Sequence, residues 1–194
     1  MKTFKLLALL LLMSTFAKAQ QNIQIGDIYT FADNTQGVVF YIDDQGHGLA
    51  VSLQQEKRKW TEESNYVYCQ DIVNIPDETE ANTELNPGLG KIYTSYILQQ
   101  LGDVKPIAAK YSREEGEEWY LPSTGELIKL IEAAKADGKI NQTLKENNSK
   151  LIYGWYWTSS EYDNGQAWRI DFHGDIKKCS KLALRNYARA IRQF

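Results

Sequence analysis

The chain has 194 residues, 43% hydrophobic and 24% charged, and a formal net charge of −3. That balance argues against a general nucleic-acid or heparin-type binder, which would carry net basic character. The length suits one domain with a substantial core, and the 12 tyrosines and 5 tryptophans serve both cores and recognition surfaces.

Residues 1–19 read as a signal peptide. Lys2 and Lys5 form a positive n-region, Leu6 to Met13 is an unbroken apolar run too short to span a bilayer, and Ala17-Lys18-Ala19 is a small-x-small cleavage site. The rival reading is an uncleaved membrane anchor. No cysteine follows the apolar run, which argues against a lipoprotein anchor, and no later segment is long and apolar enough to span a membrane. The expectation is an exported, soluble domain over residues 20–194, bound for the periplasm, the cell surface or the medium. Cleavage removes three of the 22 basic residues (Lys2, Lys5 and Lys18) and none of the 25 acidic ones, leaving 19 against 25, or −6.

Ile25 to Phe31 suggests a first strand. Val38 to Ile42 is a dense β-branched and aromatic run, Asp43 to Gly48 supplies turn residues, and Leu49 to Leu53 resumes the apolar pattern, which together read as a hairpin. Residues 54–90 are polar and broken by Pro76 and Asn86-Pro87-Gly88, as expected of an irregular crossing with at most short elements. Lys91 to Leu101 reads as a helix with Ile92, Tyr96 and Leu101 inward. A short helix is expected over Pro106 to Tyr111, with proline in the first turn. Ser123 and Glu126 then form a capping box. Leu127, Ile128, Leu130, Ile131 and Ala134 give an apolar stripe, and Gly138 is a stop signal. Ile140 to Asn148 suggests one more short helix.

From Trp155 the period changes to two. Trp155 and Trp157 alternate with Tyr156 and Thr158, and Trp168, Ile170 and Phe172 alternate with Arg169, Asp171 and His173. Asn164-Gly165 between them is a strong hairpin signal, suited to a type I′ turn. Asn186 to Phe194 should add a last strand pairing with this hairpin. Strands at both ends with helices between them predict an α+β fold of antiparallel sheets. The first and last strands are expected to share one sheet.

The motifs then become familiar. Gly37-Val38-Val39-Phe40-Tyr41-Ile42-Asp43 with His47-Gly48-Leu49 resembles the opening of a bacterial C-type-lectin-like family. Trp119-Tyr120-Leu121-Pro122-Ser123, with Glu126-Leu127 after it, resembles that family's W-x-LP-[ST]-x-x-EL signature. Tyr156-Trp157-Thr158-Ser159-Ser160-Glu161-Tyr162, Ala167-Trp168 and Arg189-Ala190-Ile191-Arg192-Gln193-Phe194 resemble its closing hairpin and last strand. The family includes the C-terminal domain of a collagen-like bacterial adhesin. The resemblance implies a C-type-lectin-like fold and binding of a glycan or a surface protein, although fold does not fix function. The EPN, QPD and WND tripeptides that hold calcium in related lectins are absent, so no metal and no cofactor is expected. Formylglycine-generating enzymes share this fold class, but Cys69 and Cys179 sit in no matching motif.

The candidate ligand surface combines the turn around Glu161, Tyr162, Asp163 and Asn164 with Tyr156, Arg169 and Asp171 of the hairpin. No catalytic set is expected. His47 and His173 lack a second ligand at metal spacing. Asp43-Asp44, Glu114-Glu115 and Glu117-Glu118 are adjacent pairs, unsuited to acid/base work. Ser159 and Ser160 lack a nucleophile-elbow frame. The stretch 176–194 holds Lys177, Lys178, Lys181, Arg185, Arg189 and Arg192, either as a solvated or internally paired set or as a basic patch for anionic glycans. Cys69 and Cys179 are disulfide candidates that would close a loop of about 110 residues, worth on the order of 4–5 kcal/mol. Two buried thiols are the alternative. Besides a binding domain, a structural or assembly subunit of the envelope remains open.

Overall fold

A computed structural model of the chain describes residues 23–62, 81–101 and 107–194. The signal-peptide expectation and Cys69 lie outside these residues. Among the described residues no helix is long and apolar enough to cross a membrane.

The fold is α+β with two sheets. Strands β1 (Ile28–Thr30), β2 (Gln36–Ile42) and β3 (Gly48–Ser52) form an antiparallel meander, and β4 (Glu56–Arg58) follows in the second sheet. Helices α1 (Leu89–Leu101), α2 (Ile107–Ser112), α3 (Thr124–Ala136) and α4 (Lys139–Glu146) come next. Then come β5 (Trp155–Glu161), β6 (Gln166–Asp171), β7 (Ile176–Ser180), β8 (Asn186–Ala188) and β9 (Ile191–Gln193). The four-stranded sheet runs β1-β2-β3-β9 and the five-stranded sheet β4-β8-β5-β6-β7. The first and last strands therefore share a sheet, as the sequence suggests, and the ring of Tyr29 stacks on Phe194 at 4.2 Å.

Three expectations are corrected. The closing strand is not continuous: β8 pairs with the hairpin and with β4, whereas β9 crosses to β3 of the other sheet. The β5–β8 pairing is parallel, so the sheets are not wholly antiparallel. Helix α1 is rotated from its expected face. Ile92 is 48% exposed, while Tyr93 and Ile97 are 1% and 0% exposed. The rotation is set by polar docking. Thr94 Oγ1 accepts from Leu121 N at 3.1 Å and donates to Leu121 O at 3.3 Å. Gly90 lies so close to the Glu126 carboxylate that a Cβ there would stand 2.4 Å from Oε2.

Helix α3 follows its sequence signals. The Ser123–Glu126 capping box forms, and Gly138 takes the left-handed conformation past the helix end (φ 73°). Glu126 does more than cap. Its carboxylate accepts from Gly88 N at 2.8 Å, Gly90 N at 3.0 Å, Ser123 N at 2.9 Å and Tyr120 Oη at 3.1 Å. Burial pushes its pKa above the ordinary carboxylate range, and the backbone donors pull against that shift.

One core lies between the four-stranded sheet and α3 and α4, built on Val38, Phe40, Leu49, Val51, Leu127, Leu130 and Ile131, and reaching Tyr156 and Ile170 of the hairpin. A second packs Ile97 and Ala108 of α1 and α2 against Trp157, Ala167 and Ala188. Strand β5 is thus buried on both faces. The family-like motifs meet in space. Ser159 N donates to Pro122 O at 2.8 Å, Thr124 N donates to Ser160 Oγ at 3.2 Å, and Tyr120 exchanges backbone bonds with Ile191.

Candidate functional site

The β5–β6 hairpin forms where the sequence places it, but its turn is not type I′. Glu161 pairs with Ala167, which leaves residues 162–166 to close the loop, and neither Asn164 nor Gly165 has positive φ. The carboxylate of Asp163 organises the turn instead, accepting from Gly165 N at 2.8 Å and Gln166 N at 2.7 Å. An Asx-type turn supplies locally what the I′ geometry would otherwise provide.

The structure divides the expected ligand surface. Tyr156 is buried, and its hydroxyl donates to Gln55 Oε1 at 2.8 Å and accepts from Tyr153 N at 3.1 Å. Glu161 is buried against Lys181, whose Nζ lies 2.6 Å from Glu161 Oε2 and 2.6 Å from Asp163 O. Asp171 is buried and accepts from His173 N and Asp175 N, both at 2.9 Å, closing the β6–β7 turn. These three side chains belong to the fold rather than to an exposed surface. A strand buried on both faces has no outward row to offer. Tyr162, Asp163, Asn164 and Arg169 remain at the surface or half-buried.

Tyr162 and Arg169 do not form one patch. Register pairs Trp168 with Lys178 and Arg169 with Lys177, and neighbouring residues of a strand point to opposite faces. On one face Lys178 Nζ stands 3.5 Å from the Tyr162 ring centroid, and Tyr162 meets Trp168 edge-on at 5.6 Å. On the other the Arg169 guanidinium lies 4.2 Å from the Trp155 ring centroid, and Lys177 Nζ lies 5.4 Å from it. Each cation–π contact of this kind contributes about 0.5–1 kcal/mol at an exposed site. Arg169 Nη1 also donates to Asn186 Oδ1 at 3.1 Å.

The basic stretch is dispersed. Lys181 is internal, and Arg192 pairs with Asp33 at 2.6 Å and stacks over Phe31. Arg189 is buried, donating to Ser52 O at 2.9 Å, Gln55 Oε1 at 2.8 Å, Lys150 O at 2.7 Å and Ser149 Oγ at 2.8 Å. Beside it, burial raises the pKa of Glu115, whose carboxylate takes a hydrogen bond from Ser52. His47 is exposed with Nδ1 3.3 Å from Asp43 Oδ2, and His173 is exposed. Among the described residues no cluster of His, Cys, Asp or Glu could hold a metal ion. Cys179 is buried in β7. Strand β7 and the place of Asn186 beside Arg169 were missed by the sequence reading. The only hint was Ile176 and Cys179 flanking the Lys177-Lys178 pair.

No protein-family model matches the chain, and no curated protein matches it. Among solved structures it is similar to the crystal structure of a fimbrial protein from Bacteroides ovatus ATCC 8483, with a TM-score of 0.68 and 16% identity. The match covers 89% of this chain and 49% of that one, so the chain spans about half the length of the fimbrial protein. The likeness is one of fold.

Proposed function

We propose that this chain is an exported, non-enzymatic domain of the cell surface, built on a C-type-lectin-like fold, that works by binding another protein within a surface assembly. The observation that carries the reading is the likeness in fold to a fimbrial protein over 89% of the chain. The shared sheet of first and last strands and the meeting of the family-like motifs support the lectin-like part of the proposal. The carboxylates that sequence singled out at the hairpin support the non-enzymatic part. Glu161 is committed to Lys181 and Asp171 to backbone amides.

A protein partner is favoured over a glycan by the state of the aromatic rings. Sugar recognition by stacking uses an open ring face. Here Trp155 and Tyr162 each carry a cation over the ring. Trp, Tyr and Arg in contact are also the residue types that anchor protein interfaces.

The test is fractionation of the source cells. The chain should be trimmed by protease added to intact cells and should co-purify with fibres sheared from the surface. A chain that is protected in intact cells and missing from the sheared fraction would overturn the reading.

A further inference from the structure

One face of the second sheet gathers side chains from all five strands, and the Tyr156–Tyr187 pairing sets Asn186 beside Trp155 rather than beside Trp157. Arg58 of β4 lies opposite Asn186 of β8. Trp157 of β5 lies opposite Arg169 of β6, and Arg169 lies opposite Lys177 of β7. Glu56 holds Arg58 at 2.5 Å. On the β6–β7 side of this face the cations are not neutralised in the same way. No carboxylate of the described residues lies within ion-pair distance of Arg169, and Lys177 has only the exposed Asp175 at 3.7 Å. Two cations therefore sit over one indole, and of the two only Lys177 has a carboxylate within 4 Å among the described residues.

Donor capacity in this nook is unspent. Asn186 is 4% exposed, and its Nδ2 has no acceptor while its Oδ1 takes the bond from Arg169. Arg169 Nε is also buried without an acceptor. Both atoms are closed to solvent, so the donor a ligand meets first is Arg169 Nη2, which makes no hydrogen bond to the described residues. A guanidinium whose one side is fixed by stacking and by Asn186 is pre-organised to present its remaining donors to a planar acceptor.

We propose that the Arg169–Asn186–Lys177 nook is a carboxylate-binding subsite for an acidic segment of a protein partner. The proposal rests on the reading of the chain as a protein-binding domain and names the chemistry of the partner. Charge complementarity selects the carboxylate.

The experiment is an NMR titration of the purified protein with a hexaglutamate peptide, following the Arg169 Nε–H, the Asn186 side-chain amide and the Trp155 indole N–H. These signals should move together and saturate, and affinity should fall about tenfold between 50 mM and 500 mM salt, as expected for screened charges. Arg169→Gln should weaken binding at least ~10-fold and Arg169→Lys several-fold, because lysine keeps the charge but loses the fork. Lys178→Gln, on the opposite face, should change it less than ~2-fold. Unmoved Arg169 and Asn186 signals would overturn the proposal. So would tighter binding of galacturonate oligomers at the same signals, which would assign the nook to an anionic glycan. A chain found in surface fibres whose Arg169 ignores the peptide sinks the subsite alone and leaves the assembly reading standing.

Discussion

The interior around Arg189 and the outer row around Arg169 use the same side chain in opposite ways. Arg189 is 1% exposed, and its Nε, Nη1 and Nη2 all donate to oxygens drawn from two separate stretches of chain. Burial lowers its pKa, but neutral acceptors surround it. Arg169 is half-buried, has one protein acceptor and leaves Nε empty. The difference teaches how to read a basic stretch. Charge counted along the sequence says little until each cation is assigned to a partner.

Substitutions can break this contrast, and the largest effect is expected inside. Arg189→Met should cost about 3–4 kcal/mol, near the upper end for a single change, because it strands several buried acceptors at once. Urea unfolding followed by tryptophan fluorescence would read it, and a loss below 1 kcal/mol would mean the network relaxes around water. Next comes Gly90→Ala. Its Cβ would meet Glu126 Oε2 at 2.4 Å and Leu121 O at 2.6 Å, both held by the docking of α1. Overpacking of this kind costs about 1–3 kcal/mol. A smaller change in stability, within about 0.5 kcal/mol, is expected for Arg169→Gln. Equal losses at Arg169 and Arg189 would erase the distinction drawn between them.

The finest probe is pH. Asp33 joins Arg192 to the first loop, and hydrogen bonds from Thr35 and then Arg192 hold its pKa near 2, below the usual 3.8. A carboxyl whose folded pKa is lowered adds stability that is complete above its unfolded pKa and disappears as pH falls through the folded one. The gap between wild type and Asp33→Asn should therefore be constant above about pH 4 and shrink toward pH 2. A gap independent of pH over that range would mean the carboxylate charge contributes nothing there.

Much of the fold was legible because local signals agreed with tertiary demand. The Ser123–Glu126 box, the Gly138 stop and the Val38–Ile42 hairpin are written in adjacent residues. The α1 face was not, because Ile92 and Tyr93 are both apolar and only the docking of Thr94 onto Leu121 decides between them. The hairpin was legible and its turn was not, since Asp163 competes with Asn164-Gly165 for control of the loop. At the candidate site, Arg169 was identified from its strand but its neighbours were not. Asn186 reaches it across β5, a proximity that no spacing encodes. Tyr156, Glu161 and Asp171 were named as surface candidates because alternation alone leaves the buried face of the hairpin open, and β5 turns out to be covered on both sides.

The splitting of the last strand has a consequence for how the chain is made. Segment 186–194 supplies β8 to one sheet and β9 to the other, and Phe194 exchanges backbone bonds with Gly48. Neither sheet can be completed until that segment has left the ribosome. Contacts so distant in sequence are slow to form, because the intervening chain must first be brought into a closed loop. Until residues 186–194 dock, β3 keeps an open edge and β4 has no neighbour in its sheet.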